Sequence, residues 1–290
     1  ITSAQIRELR EITGAGMMDC KRALTENNGE IEAASDWLRT KGLSIAAKKA
    51  GRSATEGLIG LKVSGNQAAM VEINSETDFV SRNKVFQEFV EAIAGIAMNV
   101  DGDLDRLKSS SFPGGEKTVE EQLTHLIATI GENINIRRIK TMSINQGSIS
   151  SYVHNQVAPN LGKIGVLIAL DGHSNTIDFP DLGKKLAMHI AASSPLSISS
   201  NDLDLKLLER EKTILIEQAR ESGKPEDIIE KMVEGRLRKY FEDVCLMNQI
   251  FAIDGETTVE NILKIASHDV DKPVTVIAFE NLKVGEGIEK

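Results

Sequence analysis

Residues 58–97 read LIGLKVSGNQAAMVEINSETDFVSRNKVFQEFVEAIAGIA, and this stretch decides the fold class. Its first part predicts two strands, Leu58–Val63 and Ala69–Ile73, joined by a tight turn at Gly65-Asn66. Its last part predicts a helix, because apolar residues recur there at helical spacing: Phe86, Phe89, Val90, Ile93, Ala94 and Ala97. Two adjacent strands followed by a helix indicate an α+β unit with an antiparallel sheet.

The elements that follow complete this first unit and then repeat it. After the helix we expect a loop at 101–117, a helix at about Thr118–Ile130 that Gly131 stops, and a strand at Ile134–Ile144. A second hairpin, Ile149–Val153 with Ile164–Leu170, precedes another helix at about Leu182–Ala192. The repeated order of two strands and a helix predicts a duplicated α+β core with antiparallel sheets.

Residues 201–242 differ in kind from the rest of the chain. Two helical runs, Leu203–Ala219 and Ile228–Phe241, flank the breaker Ser222-Gly223-Lys224-Pro225. Each run carries one apolar stripe: Leu207, Leu208, Leu215 and Ala219 in the first, and Ile229, Val233, Leu237, Tyr240 and Phe241 in the second. The stripes predict a projecting antiparallel helical hairpin. A helix at Thr258–Ala266 and a strand at Val274–Phe279 follow, so the hairpin is inserted within the second unit.

The first 54 residues predict a compact unit of three short helices and a tether. Glycines mark the expected helix ends: Gly14 stops the first run, and Gly42 ends the third before the Ala- and Lys-rich tether. The predicted division of the chain is 1–54 for this module, 55–145 for the first core unit, 146–200 with 243–280 for the second, 201–242 for the inserted hairpin and 281–290 for a C-terminal tail.

Composition and charge exclude several classes of function. The 290 residues carry 34 Lys and Arg against 43 Asp and Glu, a net charge of −9, and only 4% are aromatic. An acidic, aromatic-poor chain argues against direct nucleic-acid binding. Residues 1–54 depart from this trend with nine basic against seven acidic residues. That local excess indicates either a solvated linker surface or a docking patch for an acidic partner.

No motif of catalysis or metal binding is present in the sequence. There is no phosphate-binding glycine loop, the five histidines are unpaired in sequence, and the two cysteines form no CxxC. We therefore expect neither an enzyme nor a cofactor or metal site. Because no apolar run could span a bilayer and no signal peptide is evident, we expect a cytoplasmic protein without membrane contact.

The segment Glu76–Asn83 places a carboxylate, a phenyl ring and a cation in a turn just before the first core helix. Under one reading, Thr77, Asp78 or Ser81 caps that helix and Phe79 packs on its apolar face. Under the other, Asp78 and Phe79 point outward from a rigid corner as a wedge with a charged tip. Aromatic residues are favoured contact types at protein interfaces. Both readings fit the sequence.

At these residues the sequence resembles a known family, bacterial translation elongation factor Ts. The resemblance rests on two long signatures, Leu9–Leu24 (LREITGAGMMDCKRAL) and Glu72–Val80 (EINSETDFV), which occur in the family's order. Shorter matches follow in Ile130–Arg138, His189–Ser193 and Met232–Arg236, so the resemblance covers essentially the whole chain. It implies a UBA-like N-terminal helical module, a duplicated core and a protruding coiled coil.

The resemblance also implies a function, that of a guanine-nucleotide exchange factor for elongation factor Tu carrying GDP. Thr77, Asp78, Phe79 and Val80 match the segment that intrudes beside the Mg²⁺ site of Tu. Partner-binding positions are implied at Met17, Met18, Lys21, Arg82, Asn83, Gly131, Glu132, Asn133, Ile134 and His154. Arg137 and Arg138 are read as strand-edge charges. The partner surface comprises the GTPase domain of Tu and a neighbouring domain, and a homodimer or 2:2 complex stays open, as does a contact through the tail.

Overall fold

The computed structural model describes residues 1–13, 15–172, 178–268 and 271–288. The helices are α1 Ser3–Thr13, α2 Met17–Glu26, α3 Ile31–Lys49, α4 Lys84–Ala97, α5 Leu104–Ser109, α6 Val119–Ile130, α7 Phe179–Ser193, α8 Leu205–Arg220, α9 Glu226–Val244 and α10 Val259–Ala266. The strands are β1 Glu56–Ser64, β2 Gln67–Ser75, β3 Ile134–Ser143, β4 Ser148–His154, β5 Leu161–Gly162, β6 Ile164–Asp171 and β7 Thr275–Lys283. Within this part of the chain, no helix is long and apolar enough to cross a bilayer.

Two antiparallel sheets confirm the duplicated α+β core. The first has the strand order β3-β2-β1-β5, and the second has the order β4-β6-β7. In each sheet the second strand of the unit lies between the first and the third, so the two units share one topology. β1 and β2 meet at the predicted turn, where Ser64 pairs with Gln67 and Gly65 adopts a φ of 55°.

Alternate side chains of the central strands face different cores. In β2, Ala69, Val71 and Ile73 pack against α4, whereas Ala68 and Met70 join a cluster shared with the second sheet. β6 alternates in the same way between the α7 side and the shared cluster. The core is therefore layered as helices, sheet, sheet and helices, and its central strands are buried on both faces.

The connection between β4 and β6 departs from the predicted hairpin. These two strands pair as expected, from Ser148 with Leu170 to His154 with Ile164. However, the intervening loop contributes the short strand β5, which pairs with β1 of the first sheet at Gly60 and Leu161. The loop therefore connects two strands of the second sheet while it adds an edge strand to the first.

The N-terminal helices α1–α3 pack around Leu9, Cys20, Leu24 and Ala34, as the three-helix prediction requires. The expected helix end at Gly42 is wrong, because α3 continues to Lys49. Gly42 is buried, and a methyl group added there would lie 3.7 Å from the side chain of Ala128 in α6. That distance is an ordinary van der Waals contact, so Gly42 lies where α3 packs on α6 and does not end the helix. Gly14, the other expected end, lies outside the described residues.

The expected loop at 101–117 contains the short helix α5, which the sequence reading missed. Asp103 caps it by accepting a hydrogen bond from the backbone nitrogen of Arg106 at 2.9 Å, and Leu107 is buried beneath it. The next helix, α6, begins and ends as predicted. Thr118 and Glu121 form a capping box at its start, and Gly131 adopts a left-handed conformation after its end.

The helices α8 and α9 form the predicted inserted hairpin. Its buried seam consists of Leu215, Ala219, Ile229 and Val233. Leu207, which we expected in this seam, is exposed because it lies near the base of α8, beyond the buried cluster. The two ends of the hairpin leave the core side by side, since the backbone nitrogen of Leu196 donates to the carbonyl oxygen of Val244 at 2.8 Å. β7 then pairs with β6, so the hairpin interrupts the second unit.

A candidate partner-binding site at the corner of the first sheet

The segment between β2 and α4 forms a short projecting corner. Val80–Arg82 makes a single 3₁₀ turn, and Asn83 then caps α4 by accepting hydrogen bonds from the backbone nitrogens of Val85 at 2.9 Å and Phe86 at 3.3 Å. Capping by Thr77, Asp78 or Ser81 is therefore wrong. The 3₁₀ turn moves the start of the helix beyond all three residues.

Phe79 points into solvent with 78% of its surface exposed, so the expectation that it packs on the apolar face of the helix is wrong. Asp78 and Arg82 are exposed beside it, and neither side chain has a hydrogen-bond partner or ion pair within the described residues. Val80 and Ser81, which directly follow Phe79 in the chain, are buried. The corner thus presents an aromatic and a charged side chain on a base that is anchored in the core.

Hydrogen bonds fix the base of the corner to the neighbouring strands. The hydroxyl of Ser81 donates to the carbonyl oxygen of Gly57 at 3.1 Å. The ammonium group of Lys163 donates to the same carbonyl at 3.0 Å and to the Ser81 hydroxyl at 3.3 Å. Gln87 of α4 donates to the carbonyl oxygen of Ser81 at 2.9 Å. Both strands and helix therefore hold the chain immediately after Phe79.

A second predicted segment, Gly131–Ile134, lies directly against the corner. The carboxylate of Glu132 accepts hydrogen bonds from the backbone nitrogen of Thr77 at 3.0 Å and from its hydroxyl at 2.6 Å. The carboxylate of Glu76 accepts one from the backbone nitrogen of Asn133 at 2.6 Å. Ile134 is buried at the start of β3. The structure therefore brings together two segments that lie 55 residues apart in the sequence.

The end of α3 and the residues after it reach the same place. Lys49 donates to the carbonyl oxygen of Gly131, and Arg52 pairs with Glu76 at 3.5 Å. The amide of Asn133 donates to the carbonyl oxygen of Arg52 at 2.7 Å. The local basic excess of residues 1–54 is thus partly used in contacts within the chain.

The remaining predicted residues lie on two other exposed surfaces. Met17 and Met18 begin α2 with 60% and 71% of their surfaces exposed, and Lys21 is exposed one turn later. No hydrogen bond or ion pair of the described chain joins these three residues to the corner. His154 is exposed at the end of β4, where its Nδ1 lies 3.1 Å from the hydroxyl of Tyr152. Its carbonyl oxygen accepts from the backbone nitrogen of Lys163, which links it to the base of the corner.

Sequence reasoning missed the residues that support the corner, namely Lys49, Arg52, Glu76 as an acceptor and Lys163. Their partners are distant in sequence, so no local spacing could reveal them. The only trace of these contacts in the sequence is that each of the two segments contains a glutamate, Glu76 in the first and Glu132 in the second. Over the described ranges, no cluster of three or more His, Cys, Asp and Glu side chains could hold a metal ion.

Arg137 and Arg138 lie on β3, an edge strand of the first sheet, as expected of strand-edge charges. Both also bind the buried carboxylate of Glu72 in β2, Arg137 at 3.1 Å. The backbone nitrogen of Gly285 donates to the same carboxylate at 2.8 Å. This network attaches residues 283–286 to the first sheet, so the chain at the end of β7 and just after it lies against that sheet.

Comparisons with known proteins agree with this architecture. The family model for Elongation factor TS matches residues 76–286. Similar proteins include Elongation factor Ts of Gluconobacter oxydans, 54% identical over 290 residues, and that of Parvibaculum lavamentivorans, 52% identical over 290 residues. Each alignment covers 100% of this chain and 94% of the relative. The chain therefore belongs to the elongation factor Ts family of translation elongation factors.

Proposed function

We propose that this protein is the guanine-nucleotide exchange factor of elongation factor Tu, and that it acts in the cytoplasm without catalytic chemistry of its own. It binds Tu carrying GDP, promotes GDP release and dissociates when GTP binds. The observation that carries this proposal is the exposure of Phe79, 78% of which faces solvent on a corner anchored by buried neighbours. A large aromatic side chain exposed on a fixed support is suited to insertion into a partner.

The corner supplies two groups for disturbing a nucleotide site. In GTPases, Mg²⁺ and the amides of the phosphate loop hold the β-phosphate of the nucleotide. Phe79 enters between side chains of the GTPase domain, and Asp78 brings a negative charge toward the element that supports the metal. Displacement of that element by about an ångström weakens the electrostatic hold on GDP, since such contacts depend steeply on geometry. Thr77 and Val80 fix the backbone on either side.

Other exposed residues extend the proposed interface. Met17 and Met18 provide flexible apolar contacts on the GTPase domain, and Lys21 adds a charge beside them. Arg82, the backbone of Gly131–Ile134 and His154 surround the corner and contact Tu near the same interface. Asn83 contributes by capping α4, which fixes the position of the corner. A neighbouring domain of Tu forms the rest of the partner surface.

An equilibrium measurement tests this proposal. If the factor acts by displacing GDP, then binding of the factor and binding of GDP must weaken each other by the same factor. We expect the factor to bind nucleotide-free Tu at least about tenfold more tightly than Tu saturated with GDP and Mg²⁺, within the usual range of coupling energies. Isothermal titration of both forms of Tu measures the ratio of the two affinities. Equal affinities would exclude an exchange function. A parallel titration of Tu saturated with GTP tests whether GTP also competes with the factor.

A further inference from the structure

Two carboxylates connect the corner that carries Phe79 with the loop that follows α6. Glu132 of the loop accepts both the backbone N–H and the hydroxyl of Thr77, at 3.0 and 2.6 Å. Glu76 of the corner accepts the backbone N–H of Asn133 at 2.6 Å and pairs with Arg52 at 3.5 Å. Each segment thus satisfies the donors of the other. We call this reciprocal pair of carboxylates, Glu76 and Glu132, the brace.

We propose that the brace positions the Thr77–Val80 turn before the partner arrives, so that Glu76 and Glu132 are positioning residues for nucleotide exchange. The inference rests on the proposed exchange function and deepens it. It also changes the role expected of Glu132 by family resemblance, which is contact with Tu. Both oxygens of Glu132 already accept hydrogen bonds from Thr77, so its carboxylate acts within the chain.

The turn needs such support because its own side chains contribute little to its order. Phe79 and Asp78 are exposed and bury little surface in the free protein. On the C-terminal side, Val80 and Ser81 are anchored in the core. On the N-terminal side, Thr77 is held by Glu132 and by the Ser75 hydroxyl, which donates to the Thr77 carbonyl oxygen at 2.9 Å. Without Glu132 the turn would sample more conformations, and binding would have to order it.

Charge makes the two carboxylates stronger supports than neutral groups would be. Hydrogen bonds to an ionised acceptor are shorter and stronger than those between neutral groups. A glutamine at position 132 is neutral: its single oxygen can accept from the Thr77 N–H, and its N–H₂ group can only donate to the Thr77 hydroxyl oxygen. The substitution Glu132→Gln therefore replaces two charge-assisted hydrogen bonds by weaker neutral ones while it keeps the size of the side chain.

The loss of a positioning contact has a distinct kinetic signature. If only about a tenth of the free molecules keep the productive turn, the apparent dissociation constant rises about tenfold. The bound complex itself is unchanged, so the rate of GDP release at saturating factor stays near that of the wild type. Loss of a direct contact that acts on the nucleotide site would instead lower the saturating rate.

The experiment compares Glu132→Gln and Glu76→Gln with a matched control, Glu260→Gln. Glu260 is a solvent-exposed glutamate of α10 that pairs with Lys264 at 2.9 Å, so the control makes the same chemical change outside the proposed interface. GDP release from Tu is measured as a function of factor concentration. We expect the half-maximal concentration to rise about tenfold for Glu132→Gln, by less for Glu76→Gln because Arg52 is half-exposed, and not at all for the control.

Amide hydrogen exchange in the free chain tests the brace without Tu. We expect Glu132→Gln to speed exchange of the Thr77 amide, whose N–H donates to Glu132, about tenfold, with an unchanged thermal midpoint. Thr77→Val removes the hydroxyl donor, and combined with Glu132→Gln it should cost less than the product of the single effects. Unchanged exchange, or a lower saturating release rate with an unchanged half-maximal concentration, would overturn the inference. If the wild type fails to release GDP, the exchange function is wrong, and hydrogen exchange alone then decides whether the brace orders the turn.

Discussion

Phe79→Ala is expected to lower the saturating rate of GDP release from elongation factor Tu by about 30-fold, because aromatic interface residues of this kind contribute about 2 kcal/mol or more. The phenyl ring is 78% exposed, so its removal leaves no cavity in the free protein. The free energy of unfolding should change by less than about 0.5 kcal/mol, as for other surface substitutions. Stopped-flow release of fluorescent GDP and urea unfolding measure the two quantities.

The control for this prediction is Ile265→Ala, which truncates an exposed apolar side chain of α10 outside the proposed interface. It should leave release unchanged. A Phe79→Ala protein that releases GDP at the wild-type rate would remove Phe79 from the mechanism. A Phe79→Ala protein that unfolds much more easily would show that the ring packs within the chain.

The largest effect on stability is expected at Glu72, whose carboxylate is buried in β2. It binds Arg137, Arg138, Asn74 and the backbone nitrogen of Gly285, and so connects β3 and residues 283–286 with the centre of the first sheet. Glu72→Gln leaves Arg137 without a carboxylate partner and leaves Arg138 with Glu286 alone, at 3.5 Å. We expect the free energy of unfolding to fall by about 3 kcal/mol, the lower end for a broken buried ion pair, because both guanidinium groups retain some solvent contact.

Glu280→Gln is the matched control, since Glu280 pairs with Lys140 at 3.1 Å with both side chains partly exposed. An exposed pair of this kind contributes about 1 kcal/mol or less. If urea unfolding shows the same loss of unfolding free energy for Glu72→Gln and Glu280→Gln, the buried network contributes no more than an exposed ion pair.

The buried carboxylate of Glu72 should also make the stability of the folded chain sensitive to acid. Burial alone would raise the pKa of Glu72, but hydrogen bonds from Gly285, Asn74 and Arg138, with the charge of Arg138, hold it below its ordinary value of 4.5. The unfolded chain therefore binds this proton at a higher pH than the folded chain does. The stability that Glu72 contributes is fully present above about pH 4.5 and is lost as the pH falls through its lower folded pKa. The Glu72→Gln protein should lack this part of the acid dependence.

The sequence predicts the fold where local signals and burial agree. Gly65-Asn66 fixes the first hairpin because a two-residue turn sets the strand register, and the spacing from Phe86 to Ala97 fixes α4 because one face of it is buried. The helix end predicted at Gly42 was wrong because α3 continues through it and packs on α6, and local helix-ending rules do not include such tertiary packing.

The candidate site was located from the sequence, but its support was not. Four residues between Thr77 and Asn83 can cap a helix, and only the 3₁₀ turn at Val80–Arg82 decides in favour of Asn83. The orientation of Phe79 follows from the same turn. The contacts of Glu132 with Thr77 and of Lys163 with Ser81 depend on how distant strands meet, so spacing in the sequence could not reveal them.

The exchange function is tested most directly by the rate at which fluorescent GDP leaves elongation factor Tu in the presence of Mg²⁺ after this protein is added. We predict that the wild-type chain raises that rate about a hundredfold at saturation, the factor that a coupling energy of about 3 kcal/mol gives when it acts wholly on the release step. We further predict that the Phe79→Ala protein gives a release rate well below that of the wild-type chain. A release rate that does not change with the concentration of the wild-type chain would show that the protein is not an exchange factor for Tu.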